Sequence, residues 1–147
     1  MATIKGGDKL QKKIAEIAAQ IDKADVLRVG FLENATYPDG KPVAMIAAIQ
    51  NWGAPAAGIP PRPFFSNMVA SKKAGWPEQV AKNLKRADYN SALAFARVGE
   101  GIAGQLRQSI KDTNSPPLAP STIKRKGFAK PLVDTGVMLG SVDYDVK

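Results

Sequence analysis

The sequence predicts an α+β domain in which a small, mostly antiparallel sheet packs against several helices and an extended proline-rich arm stands apart. Three observations lead there. Apolar residues recur at helical spacing in several separate stretches, the clearest being Val98, Ile102, Leu106 and Ile110. Two alternating segments, near Val29 and from Ser141 to Val146, lie far apart in the chain, without the regular strand–helix alternation of a doubly wound sheet. Between them, Pro55, Pro60, Pro61 and Pro63 stiffen one short stretch that is neither helix interior nor central strand. With 147 residues the chain is read as a single domain, 1–147, with a flexible start over 1–7 and a proline-rich connector over 53–63.

Each element has its own local signal. From Asp8 to Asp25, Leu10, Ile14, Ile17, Ala18 and Ile21 share one stripe among lysines, Glu16 and Gln20, which predicts an amphipathic helix capped by Asp8. From Val26 to Leu32, Leu27, Val29 and Phe31 alternate with Val26, Arg28 and Gly30, as in a strand. Tyr37-Pro38-Asp39-Gly40 is a turn signature. The surrounding segment, Glu33 to Val43, is read either as a hairpin or arm that extends the sheet or as an exposed loop. Pro42 opens a helix through Met45, Ile46, Ile49 and Trp52 that Gly53 stops.

After the connector, Phe64 to Lys73 is helical, Gly75-Trp76-Pro77 breaks the run, and Pro77 starts another helix to about Arg86. Asn90 or Ser91 caps the longest helix, which runs to about Lys111 and ends before Ser115-Pro116-Pro117. A short basic helix follows Ala119-Pro120-Ser121-Thr122. Asp134 then caps one turn holding Val137, Met138 and Leu139, and a closing strand covers Ser141 to Val146. Two strands alone make a marginal sheet, so a third strand or a neighbouring chain is expected beside them.

Composition removes whole classes of chemistry. The chain has no cysteine and no histidine, which excludes the usual zinc sites, cysteine nucleophiles and every imidazole-based triad. Its thirteen acidic residues are scattered, with no pair or triplet that asks for magnesium, so no metal, cofactor or catalytic residue is expected. No apolar run reaches membrane-spanning length, and the start is polar and lysine-containing rather than a signal peptide. A cytoplasmic origin and no membrane partner are the expectation.

The net charge of +8 is concentrated. Twelve basic residues lie between Ser71 and Lys130 against four acidic ones, while the remainder holds nine of each sign. Such a block attracts nucleic acid or acidic protein surfaces, or it forms ordinary solvated helix faces. Lys124, Arg125 and Lys126 are its densest run and its contact residues for DNA or an acidic partner.

Gln50-Asn51-Trp52-Gly53 and Ile59-Pro60-Pro61-Arg62-Pro63-Phe64-Phe65 frame the connector. A solvated loop has no use for that much aromatic area, whereas a contact between proteins has. Trp52, Ile59, Pro60, Pro61, Arg62, Pro63 and Phe64 are therefore read as an oligomer interface, with one of Phe64 and Phe65 assigned to the core. Arg62 is expected to pair with a carboxylate or stack on Trp52 or Phe64. Gly99-Glu100-Gly101-Ile102-Ala103-Gly104 matches a dinucleotide-binding pattern letter for letter, but it lies inside a helix, not after a strand. Close helix packing, or a helix that bends, accounts for it. Asn34-Ala35-Thr36 matches a glycosylation acceptor and carries no weight without a secretory signal.

Taken in order, four pieces resemble the small neck and tail-completion proteins of tailed bacteriophages, of the minor-tail or virion-morphogenesis kind. They are Val29-Gly30-Phe31, then Val43 to Ala47 leading into Gln50-Asn51-Trp52-Gly53, then Ile59 to Phe64, and finally Pro131 to Gly136 with Leu139, Ser141 and Tyr144. Pro120-Ser121-Thr122-Ile123-Lys124 is similar to the related virion-morphogenesis group. The likeness runs in patches from about Val26 to Val146. The family typically has an acidic residue and phenylalanine where this chain has Asn51 and Trp52, which keeps the hydrophobic anchor and removes a charge.

The resemblance implies a structural protein and not an enzyme. It implies a ring, often sixfold and here expected as a hexamer, that joins head-closure or connector proteins to the tail terminator or tail tube and lets DNA pass. Ring contacts are heterologous, so a rigid aromatic arm and unpaired strand edges suit them. The closing strand, with Tyr144, is the segment expected to pair with a neighbour. The alternative reading is a free basic protein that binds nucleic acid through its charge.

Overall fold

The computed structural model describes residues 5–113, 116, 120, 124 and 136–147. Within them the order is α1 (Gly7–Ile21), β1 (Leu27–Phe31), α2 (Val43–Trp52), α3 (Phe64–Lys72), α4 (Trp76–Arg86), α5 (Ser91–Asp112), α6 (Val137–Gly140) and β2 (Val142–Val146), with single 3₁₀ turns at Pro55–Ala57 and Lys73–Gly75. This is the α+β arrangement expected: a small antiparallel sheet packed on helices.

The two strands pair antiparallel, Leu27 opposite Val146 and Phe31 opposite Val142. The pair closes at its end through Val26 and Lys147, each donating its N–H to the other's carbonyl at 2.8 and 2.9 Å. An exposed ion pair between Arg28 and Asp145 crosses the outer face of the ladder. The inner face lies along α5, and one close approach sets its distance. A methyl group on Gly99 would sit 2.8 Å from the Tyr144 ring and 2.9 Å from a Leu27 methyl, so only glycine admits both neighbours. Close packing is thus what Gly99 serves.

Helix α5 forms as its pattern requires. Asn90 accepts the Leu93 N–H at 3.1 Å as an N-cap, and Val98, Ile102, Leu106 and Ile110 are all buried. Around it gathers one core: Val43 and Ala47 from α2, Phe64 and Met68 from α3, Met138 from α6 and Val142 from β2. Phe31 meets Phe64 edge-on, with ring centroids 6.3 Å apart. Trp76 opens α4 and donates its indole N–H to Gln105 at 2.9 Å, which ties that helix to α5.

Several expectations change in detail. Helix α1 has Gly6 and not Asp8 at its N-cap, ends at Ile21, and buries none of its residues. The stretch from Glu33 to Val43 adds no strand. It is a tight loop in which Gly40 donates to the Tyr37 carbonyl at 2.9 Å and a single bridge joins Thr36 to Pro42. The basic helix after Pro120 and the Asp134 cap lie outside the described residues; Gly136, within them, is the N-cap of α6.

A candidate assembly surface around Trp52

Helix α2 has a buried stripe, Val43, Ala47 and Asn51, one turn apart. Met45 and Trp52 therefore point away from the core, and Trp52 is 69% exposed. Gly53 then turns the chain with φ of 77° while its N–H caps the Ile49 carbonyl at 2.7 Å. A β-carbon there would lie 2.8 Å from the Ile59 carbonyl oxygen and 2.9 Å from the Pro61 nitrogen, so the return strand of the connector crosses directly over this glycine. Ala54 and Ile59 exchange hydrogen bonds of 2.9 and 3.1 Å, closing a small loop around the 3₁₀ turn at Pro55–Ala57.

The bracket is fastened at its base by two buried polar side chains. Asn51, 2% exposed, accepts the N–H groups of Phe65 and Ser66 at 3.1 and 3.0 Å and donates to the Ser66 hydroxyl at 2.7 Å. It caps α3 from the neighbouring helix, because Pro63, at that helix's own N-cap, has no side-chain acceptor. Arg62 is buried as well. Its N–H donates to the Gln50 carbonyl at 2.7 Å, its Nη1 to Gln50 Oε1 at 3.3 Å and its Nε to the Pro116 carbonyl at 2.9 Å. Among the described residues, carbonyl oxygens of Gln50 and Pro116 thus hold this group. Burial pulls the guanidinium pKa below its ordinary value.

The predicted interface residues therefore divide into two groups. Trp52, Pro60 and Pro61 are exposed, and Ile59 and Pro63 are half-buried. Arg62 and Phe64 belong to the monomer's interior, since α3 carries Phe64 into the core, where its carbonyl accepts the Ser109 hydroxyl at 2.6 Å. Tyr144 is half-buried with its ring against Gly99 on α5, so it also packs inward. Lys124 is exposed, while Arg125 and Lys126 lie outside the described residues.

Beside Trp52 runs a shallow apolar groove of about 200 Å³, lined by Val29 and Phe31 of β1, Ala44 and Ala48 of α2, and Phe65. One wall is the strand edge that β2 does not occupy. Because Val26 and Lys147 form a hydrogen-bonded pair, Val29 and Phe31 turn their backbone groups toward this outer edge. The outer edge of β2 is already partly used. Arg107 donates to the Val142 carbonyl at 2.9 Å, and the Asp143 carboxylate accepts the Tyr144 N–H at 2.8 Å. The strand edge flanked by an apolar groove is thus that of β1, not the closing strand.

Charge is spread over the helices. Lys72, Lys73, Lys82, Lys85, Arg86, Arg97 and Lys111 are exposed. Of the acidic residues in the same block, Glu78 pairs with Lys82 at 2.7 Å and Glu100 with Arg107 at 3.1 Å, which leaves the excess positive. Among the described residues no three His, Cys, Asp or Glu side chains gather where a metal ion could be held, and no helix is long and apolar enough to cross a membrane.

Comparison with family models, characterised proteins and solved structures finds no match to this chain. The surface is accordingly read on its own chemistry. A rigid bracket presents an indole ring beside an apolar groove and a strand edge that no described strand pairs with. Asn51, which holds that bracket, was overlooked as a determinant in its own right. Its signal was a polar residue one helical turn beyond Ala47 on the stripe that begins at Val43.

Proposed function

We propose that this chain is a structural protein of a tailed bacteriophage, forming a ring in the neck that joins the head connector to the tail terminator or tail tube and leaves a channel for DNA. The observation that carries the reading is Trp52, held exposed on a bracket that glycine, proline and two buried polar side chains make rigid. An indole kept in water costs solvation free energy unless a partner covers it, and preorganisation lowers the entropy lost when that happens. The order and spacing of the segments that resemble neck and tail-completion proteins support the same reading. The protein acts by assembly and carries out no catalysis.

In a head-to-tail ring, the groove between Trp52 and β1 receives a neighbour's apolar segment, with the free β1 edge available for backbone pairing. The positive excess on the outer helices faces channel DNA or acidic surfaces of adjoining rings.

The test is particle assembly in the phage that encodes the chain. Trp52→Ala is expected to leave a folded protein and to yield heads and tails that do not join. Normal joining by Trp52→Ala and by Trp52→Asp refutes the reading. The competing role, free nucleic-acid binding, predicts instead a monomer whose DNA affinity falls steeply with salt and weakens on Lys124→Ala and Arg125→Ala.

A further inference from the structure

Helix α1 carries apolar residues that the other described residues leave uncovered. Leu10 is 62% exposed, Ile14 57% and Ile21 44%, and no α1 residue is buried. The helix is tied down near its end, where Ser91 Oγ accepts the Ala24 N–H at 2.8 Å and donates to the Gln20 carbonyl at 3.4 Å. Ile17 and Gln20, on the same helix as this attachment, are half-buried, so part of Ile17 stays open beside Ile14 and Ile21. Leu10, Ile14 and Ile21 are left facing solvent.

Two features of α1 specify what covers them. Leu10, Ile14, Ile17 and Ile21 are spaced by four, three and four residues, the seam of a two-helix coiled pair, with the small Ala18 beside it. Charge is also divided along the segment. Residues 5–13 hold Lys5, Lys9, Lys12 and Lys13 against Asp8, whereas residues 14–25 hold Glu16, Asp22 and Asp25 against Lys23. We propose that α1 pairs antiparallel with α1 of a second copy of this chain. Leu10 then packs on Ile21 of the second copy and Ile14 on Ile17, twice over by symmetry. The lysine-rich half of each segment then runs beside the acidic half of the other, and the helix dipoles oppose. A parallel pair would set lysine against lysine and acid against acid.

This contact is two-fold and self-complementary, unlike the head-to-tail contacts of a ring, and it uses none of the Trp52 surface. With four apolar layers it is smaller than a standard stable interface, so it forms at micromolar rather than nanomolar concentration.

Sedimentation equilibrium of the full chain over a range of concentrations tests it. A monomer–dimer equilibrium is expected, with Ile14→Asp weakening association by roughly a hundredfold while the denaturation midpoint stays put, since α1 buries nothing. Reversing the basic half (Lys9→Glu with Lys13→Glu) or the acidic half (Glu16→Lys with Asp22→Lys) should each weaken the dimer, and the double exchange should restore it. Trp52→Ala should leave the equilibrium unchanged. A chain that stays monomeric throughout, an Ile14→Asp variant that still dimerises, or a double exchange that fails to restore pairing overturns the proposal. So does a monomer that binds anionic lipid vesicles through Leu10 and Ile14.

Discussion

Replacing Asn51 by alanine tests the bracket at its base. The change removes three hydrogen bonds: acceptance from the Phe65 and Ser66 N–H groups and donation to the Ser66 hydroxyl. At about 1 kcal/mol net each, with an added cost for amide groups stranded at a helix start, the loss is about 3 kcal/mol. For a domain of this size that lowers the melting temperature by roughly 6–12 °C. Asn51→Asp separates capping from side-chain size. Its carboxylate still accepts both N–H groups, the Ser66 hydroxyl can rotate to donate, and negative charge suits the start of α3. Desolvation opposes these gains, so Asn51→Asp should fall within about 1 kcal/mol of the parent at neutral pH. Protonation removes that charge, so the variant should lose the charge-assisted part of its capping as the pH falls. The assay is urea denaturation at pH 7 and pH 4, monitored by far-UV circular dichroism. An Asn51→Ala variant within about 0.5 kcal/mol of the parent, or an Asn51→Asp variant weaker than Asn51→Ala at neutral pH, refutes the capping argument.

Other outcomes follow from the same geometry. Gly99→Ala must displace the Tyr144 ring and Leu27, and it should cost about 1–3 kcal/mol despite alanine's better helix propensity; a stabilised variant would show that β2 moves freely on α5. Trp52→Ala should shift the denaturation midpoint by less than about 0.5 kcal/mol, because the ring is mostly in water, and a larger loss would place it in the core. Lys82 lowers the Glu78 pKa, Arg28 that of Asp145, and Lys41 that of Asp39, in each case chiefly by hydrogen bonding. Their folded values lie below the unfolded ones. The stability they contribute is therefore present above the ordinary carboxylate pKa of about 4 and lost as pH falls through the folded values. With no histidine in the chain, unfolding midpoints should stay level from about pH 8 to 5 and decline below; a decline starting near pH 6.5 contradicts this.

Much of the fold was legible because the signals are local. The cap at Asn90, the stripe from Val98 to Ile110, the turn at Gly40 and the stop at Gly53 each depend on residues within a turn or two. The division of the connector was not legible. Trp52, Arg62 and Phe64 sit within a few residues of one another. Which of them faces water depends on how α3 enters the core and on carbonyl groups at Gln50 and Pro116. Which strand edge is left more open was not legible for a similar reason. Both strands alternate, and only their packing shows that Arg107 and Asp143 use part of the edge of β2.

By itself, then, the amino-acid order determined the helices, the two strands, their stops and the stiffness of the connector, because backbone preference and hydrophobic period act over short distances. Tertiary structure decided which of the apolar faces is in fact covered, as that of α5 is and that of α1 is not. Residues distant in the chain supply the cover, as Ser91 does for the end of α1 and as no described residue does for Leu10 and Ile14. Burial belongs to the pair of surfaces that meet, so a residue's neighbours in sequence cannot specify it.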